Sequence, residues 1–306
     1  MTDLPNPSSA ALDLDLSAAQ YARITAILKE RAGIVLAEGS MGLVISRLAR
    51  HLRRLGHRDF DTYLELVTTP AGAAERDQMI NALTTNTTRF FREPDHFECL
   101  ARQAMPRLTR KAKAGGRVRI WSAGCSSGEE AYSIAATVLG TFPDAAEYDL
   151  RILATDINSH MLSRAEEALY DIDAGRDLSP AARAALFEPA RQGGSLVVRR
   201  ALRDLVTFRY LNLIGDWPIS GPFDVIFCRN VAIYLGAETQ QNLWAGLARM
   251  LDEEGLLFIG HSEHIGPPSS DRLELFAPTS FRRPRVSPIP PHPSFKECQH
   301  VHQDLS

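Results

Sequence analysis

The stretch 118–139 limits what this chain can fold into more than any other. It opens with Val118, Ile120 and Trp121, a short apolar run with β-branched members. It then turns through Gly124, Cys125, Ser126, Ser127 and Gly128, and continues in small and apolar residues at helical spacing. A strand, a tight turn and a helix in that order form the opening unit of a doubly wound α/β sheet. Two glycines let the backbone approach a ligand closely, and the free N–H groups at a helix start attract an anionic or polar group. The turn is therefore expected to bind something.

Three chemistries use such a turn. A dinucleotide fingerprint fails, because Ser126 stands at its second glycine and the third glycine is absent. A nucleophile elbow is satisfied by Gly124, Ser126 and Gly128 between a strand and a helix. The loop of S-adenosylmethionine (SAM) methyltransferases is also satisfied, provided that an acidic residue ends the next strand. The motif by itself leaves the last two open.

The rest of the chain separates them. With 306 residues, 44% of them hydrophobic, it can bury a full core, enough for one large and one small domain. Residues 1–15 are expected to be a disordered tail. A helical pattern over 18–83 predicts a helical N-terminal domain at 16–85. A sheet domain follows at 86–283, and the Pro-rich tail 284–306 is expected to be disordered. Strands are predicted at 150–156, 206–210, 223–228 and 255–260, with a terminal hairpin over 273–283. A small β-subdomain is predicted at about 187–205, as a hairpin through Gln192, Gly193, Gly194 and Ser195.

An elbow hydrolase needs strands ahead of its nucleophile, whereas everything before Val118 reads as helix. His261 or His264 could serve as its histidine, but Asp224 opens a strand instead of following one. Asp156, by contrast, ends the second strand, where a carboxylate can accept both ribose hydroxyls of a nucleoside. Asn158 or Ser159 is available to cap the helix that follows. More polar residues fall at the predicted strand ends: Asn212, Arg229, Asn230, His261, Ser262 and Glu263.

A net charge of −3 excludes a global attraction to nucleic acid or acidic lipid. A basic site must be local, and residues 43–55 offer one. Val44, Ile45, Leu48, Leu52 and Leu55 fall on one side of a helix, and Arg47, Arg50, Arg53 and Arg54 on the other. That face is either simply solvated or a docking surface for an acidic partner. Cys99, Cys125, Cys228 and Cys298 have no metal-ligand spacing, so no metal is expected. With no signal-peptide pattern and no apolar run of membrane-spanning length, the expected location is the cytoplasm.

Six stretches in order, 84–93, 121–133, 154–157, 211–213, 223–234 and 260–263, resemble the CheR-type chemoreceptor glutamate O-methyltransferases. The resemblance runs over about 18–283. It implies a small helical domain joined to a Rossmann-like SAM-dependent methyltransferase domain with a small antiparallel β-subdomain. It further implies methyl transfer from SAM to glutamates on the cytoplasmic helices of chemotaxis receptors, leaving S-adenosylhomocysteine. The family's SAM pocket maps here onto Asn86, Thr88, Arg92, Gly124, Glu130, Asp156, Asn212, Leu213, Cys228, Arg229 and Asn230, with Glu129 an alternative to Glu130. Tyr234 corresponds to a tyrosine near the transferred methyl, and Arg92 is suited to a carboxylate. Arg47, Arg50, Arg53 and Arg54 are the implied receptor-docking set, on a monomer that neither binds nucleic acid nor inserts into a membrane.

Two departures from the family stand out. Ser40 replaces a lysine ahead of the arginine helix, and the β-subdomain looks short, which predicts an enzyme independent of a receptor peptide tether. A SAM-sensing module without turnover is the alternative from another class, disfavoured by Arg92 and Tyr234. A nucleic-acid methyltransferase is disfavoured by net acidity and by the lack of an Asn/Asp-Pro-Pro-aromatic motif after the fourth strand.

Overall fold

The computed structural model describes residues 15–189, 194–267 and 272–285. The tails expected at 1–15 and 284–306 lie almost wholly outside these residues, as do Gln192 and Gly193. Four helices come first: α1 (Ala18–Ala32), α2 (Met41–Leu55), α3 (Phe60–Thr68) and α4 (Ala73–Leu83). Local chemistry sets their ends. Ser17 and Gln20 form a reciprocal capping box at α1, and Gly33, at φ 69°, closes that helix in the left-handed region. Asp59 caps α3 by accepting from the Thr62 N–H at 2.9 Å. Ile24, Leu28, Val44, Leu48, Leu52, Tyr63, Leu64 and Met79 meet in a core of their own.

A longer helical stretch follows, consisting of α5 (Pro94–Cys99), a π-helical segment at Leu100–Ala104, and α6 (Met105–Lys113). Then the alternation begins with β1 (Val118–Ala123), α7 (Glu129–Thr141), β2 (Leu150–Asp156) and α8 (Ser159–Glu167). After β3 (Leu169–Asp171), α9 (Pro180–Leu186), β4 (Ser195–Val197) and α10 (Arg200–Arg203) come β5 (Val206–Tyr210) and β6 (Phe223–Cys228). The chain closes through α11 (Ala237–Met250), β7 (Leu251–Ile259), β8 (Glu274–Ala277) and β9 (Ser280–Arg282).

Seven strands make one sheet in the order β5-β2-β1-β6-β7-β9-β8. The first five run parallel, and β9 and β8 add an antiparallel edge. Both faces are covered, so successive residues of one strand enter different cores: Ile120 packs with α6 and α7, and Trp121 packs with α11. The chain leaves β1 toward β2 on one side and returns to β6 on the other. That reversal opens a crevice beyond the C-terminal ends of β1 and β6.

The small sheet goes beyond the expected hairpin at 187–205. The hairpin's own pairing is present, as an antiparallel bridge between Phe187 and Val198 and a 2.8 Å bond from the Glu188 N–H to the Val197 carbonyl. Ser195–Val197 also pairs antiparallel with Leu169–Asp171, a strand the sequence pattern hides. Leu169 continues the apolar spacing of α8, so the pattern suggests more helix. Ala168 at φ 54° ends α8 instead and turns the next three residues into a strand. Likewise β7 starts four residues earlier than the predicted 255, since Leu251 already pairs with Phe223 across an irregular register.

Candidate active site

The crevice is a cavity walled by every segment that ends at it: the turn after β1, the end of β2, the loops after β5 and β6, and the linker at 84–92. Ala32, Ile34, Leu36 and Leu83 of the helical domain supply one wall. At Gly124, φ is 85°, and an added Cβ would lie 2.3 Å from Val231 Cγ2, so only glycine fits. The Gly124 and Cys125 N–H groups donate to the Thr155 carbonyl at 2.8 and 2.9 Å, fastening the turn to the end of β2.

Asp156 lines the cavity at 8% exposure. Its Oδ2 accepts from the Ser126 N–H and its Oδ1 from the Asn158 N–H, both at 2.8 Å. Burial raises its pKa, opposed by those backbone bonds. The capping of α8 falls to Asn158, whose Oδ1 accepts from the His160 and Met161 N–H groups.

Of the two glutamates opening α7, Glu130 faces the cavity and Glu129 does not. Glu129 accepts from the Ser127 hydroxyl at 2.8 Å. Glu130 accepts from the Ser122 hydroxyl at 2.7 Å and pairs with Arg229 Nη1 at 3.2 Å. Burial raises the pKa of Glu130, with Arg229 acting against it. Arg229 bridges Glu130 to Glu93, with Nη2 2.9 Å from Glu93 Oε2. The same Nη2 donates to the Arg92 carbonyl, and the guanidinium lies 5.5 Å over the Phe97 ring.

Asn230 adopts the left-handed region at φ 60°. The loop it begins is held by a residue with no assigned role in the sequence reading. Glu263 accepts four backbone N–H bonds, from Asn230, Val231, Ala232 and Gly260, at 2.6–2.9 Å. Its position at a strand end was visible in the sequence, but its four partners are 3 to 33 residues away. Tyr234 closes the loop in a 3-10 turn and lines the cavity, and its carbonyl accepts from the Val35 N–H of the helical domain at 2.8 Å.

The other expected residues divide. Asn86, Thr88, Arg92, Asn212 and Leu213 all line the cavity. Arg92 donates to the Thr87 carbonyl at 3.0 Å and stays about a third exposed. Asn212 donates to the Arg31 carbonyl at 2.7 Å and accepts from the Ile214 N–H, so its amide ties loops together. Cys228 does not belong in the set. It is the last residue of β6, and its fully buried side chain packs in the core with Trp121 and Ala123. Strand alternation turns it away from the cavity that its neighbour Arg229 enters.

The arginine helix is also corrected in part. Arg47 Nη1 donates to the carbonyls of Leu83 and Thr84 at 3.0 and 2.9 Å, and Arg54 pairs with Glu75 at 2.6 Å. Arg50 and Arg53 are exposed with no partner among the described residues. No helix among the described residues is long and apolar enough to cross a membrane. Asp224, the acid weighed for an elbow, sits at the opposite end of β6 from the turn and binds Lys111 at 2.7 Å.

Comparison with known proteins shows the family. The family model described as "CheR methyltransferase, SAM binding domain" matches residues 86–280, and "CheR methyltransferase, all-alpha domain" matches 19–84. A probable chemotaxis protein methyltransferase of Rhizobium etli is 47% identical, over 82% of this chain and 94% of its own. The chemotaxis protein methyltransferase of Escherichia coli is 40% identical, over 82% of this chain and 86% of its own. That of Borreliella burgdorferi is 33% identical, over 91% and 99%. On the sheet, the cavity and these matches together, the chain belongs to the CheR family of SAM-dependent methyltransferases.

Proposed function

We propose that this enzyme methylates glutamate side chains on the cytoplasmic helical domain of chemoreceptors, with SAM as donor. The observation that carries the reading is that Asp156, the Gly124 turn, Glu130, Arg92 and Tyr234 all line one cavity. The cavity suits the donor, because buried carboxylates with raised pKa values face it and gain from a cationic, hydroxyl-bearing ligand. Bound there, SAM supplies an electrophilic sulfonium methyl.

The protein's own share is orientation. Asp156 takes the ribose hydroxyls, and Leu211 and Leu213 offer apolar surface for the base. Glu130 faces the methionine end, its orientation fixed by Ser122 and Arg229. The acceptor glutamate is already ionised at neutral pH and needs no general base. Arg92 draws its carboxylate to the rim by a bidentate pair, and the Tyr234 hydroxyl aligns it. Alignment in a water-poor site supplies up to about 7–11 kcal/mol of barrier reduction in ideal cases.

The enzyme acts as a monomer and docks through Arg50 and Arg53, without a receptor peptide tether. The short β3–β4 pair supports this, since it offers three residues per strand for strand addition. The test incubates the protein with labelled SAM and receptor cytoplasmic domains with and without their C-terminal peptide. Base-labile label on both receptors at similar rates supports the whole reading. Label on the tethered receptor only would refute tether independence, and no base-labile label on any receptor would refute the activity.

A further inference from the structure

Beside the cavity wall, on the outer side of Glu93, three potential metal donors converge. One donor atom each from Glu93, His96 and His261 lies within 4.8 Å of the others. Glu93 Oε2 is 3.6 Å from His96 Nδ1 and 3.9 Å from His261 Nε2. A fourth donor, Asp95 Oδ2, is 3.2 Å from His261 Nε2. Ligands at 2.0–2.2 Å around a tetrahedral ion stand roughly 3.3–3.6 Å apart, so small adjustments close the set of Glu93, His96 and His261, and Asp95, now meeting only the His261 nitrogen, is the candidate fourth ligand. All four come from two rigid places, the first turn of α5 and the residues just after β7.

His96 shows that the cluster is more than a surface coincidence. Its ring is 1% exposed, and its Nδ1 is a buried polar atom with no hydrogen-bond partner. Such an atom is costly to bury unless something occupies its lone pair. Its other nitrogen, Nε2, is 2.8 Å from Thr279 Oγ1. With Nε2–H donating there, Nδ1 presents its lone pair to the cluster, the arrangement by which outer partners orient a metal-binding imidazole. Burial first and Arg229 second hold the ring's pKa down at about 4, so it is neutral at physiological pH. His261 and Asp95 are about half exposed, which leaves an open route from solvent. Of the charged groups acting on the His96 ring, two carboxylates, Glu93 and Asp95, stand against one guanidinium, Arg229.

We propose that Glu93, Asp95, His96 and His261 form a binding site for a divalent transition-metal ion of the zinc class, and that its occupancy weakens SAM binding. The link to SAM is one oxygen. Glu93 Oε2 is the atom that pairs with Arg229 Nη2, and Arg229 also holds Glu130 in the cavity wall. A metal on that oxygen competes with the guanidinium and loosens the wall. The coupling is reciprocal, so SAM must weaken the metal equally. This second half rests on the proposed SAM cavity, whereas the metal site itself does not.

His292, Cys298, His300 and His302 in the tail could bind metal on their own. The test therefore uses the full, untagged chain carrying His292→Ala, Cys298→Ser, His300→Ala and His302→Ala. Titration with Co2+ is followed by visible absorbance, and Zn2+ is followed by calorimetry. The expected result is one ion per chain, with His261→Ala and Asp95→Asn each weakening it at least about tenfold, as loss of a ligand shell member should. His261 and Asp95 are exposed enough that either variant should fold, which circular dichroism checks. No stoichiometric binding, or equal affinity in His261→Ala, overturns the site. For the coupling, saturating Zn2+ should raise the Kd for SAM in the parent and not in His261→Ala. An unchanged Kd in the parent, with Zn2+ bound, overturns the coupling and leaves both the site and the methyltransfer reading standing.

Discussion

Asp156 carries its charge at a cost to the fold. Its carboxyl is buried, and its pKa is raised above the ordinary carboxylate value despite two backbone donors. A raised folded-state pKa means that its stabilising contribution is complete below the unfolded value, near 3.8, and is lost as pH rises through the folded value. Asp156→Asn removes that penalty but also turns an N–H group toward the Ser126 or Asn158 donor, which costs about 1–3 kcal/mol at any pH. The expected signature is therefore the slope: relative to the parent, the ligand-free variant should gain stability from pH 5 to pH 7. Urea unfolding at both pH values checks it, and a variant that loses ground to the parent as pH rises would contradict the assignment. The same variant should lose about 1.5–3 kcal/mol of SAM affinity, roughly 10- to 150-fold, because charge-assisted bonds to the ribose become neutral ones. Calorimetric titration reads that directly. Glu263 is raised by burial in the same direction, but its carboxylate serves four backbone donors in place of two. Glu263→Gln turns an N–H group toward those donors and should cost about 1–3 kcal/mol of stability. Unfolding midpoints matching the parent's would show that the loop after β6 does not depend on it.

At the scale of one helix, α2 separates two kinds of arginine. Arg47 is committed inward to the end of α4, and Arg54 is tied to Glu75 although its side chain stays exposed. Arg50 and Arg53 point outward. Replacing Arg50 and Arg53 with Ala should raise the KM for receptor and flatten its salt dependence, while leaving SAM affinity unchanged. Arg47→Ala should instead lower stability by about 1.5–3 kcal/mol, the value of hydrogen bonds from a charged group. Steady-state kinetics across ionic strength, with urea unfolding, would distinguish them, and equal effects from both would undo the division. Helical spacing was enough to find the helix and most of its buried stripe, Val44, Leu48 and Leu52, whereas Ile45 is only half-buried and Leu55 is exposed. It could not say which arginine bends back, because Leu83 and Thr84 are 36 and 37 residues away. The same limit explains β3. Its partner Ser195–Val197 lies across α9, and only the left-handed turn at Ala168 reveals that α8 has ended. The turn 124–128 and the strand over Phe223–Cys228 were legible because their signals are local: positive-φ glycines in the first case and continuous apolar burial in the second.

On the scale of the whole molecule, the two halves meet at the cavity. Ile34 forms a β-bridge with Leu235, Val35 donates to Tyr234, and Asn212 donates to Arg31. Further along, Asn158 donates to Asn81, and Ser126 to the Asn86 carbonyl. Ligand binding should therefore protect both halves. At 100 times its Kd, SAM should add about 2.7 kcal/mol to global stability. Amide exchange at residues 33–37 should slow along with that of the Gly124 turn. Protection confined to the sheet domain would mean that the helical wall does not close on the donor. A fragment beginning at residue 86 would keep Asp156, Glu130 and Tyr234 yet hold an open trough in place of an enclosed pocket. Recombination between relatives is constrained accordingly. The helical half cannot be exchanged as an independent cassette, because the turn at 33–37 and the loop at 230–235 are complementary surfaces that have to be inherited together.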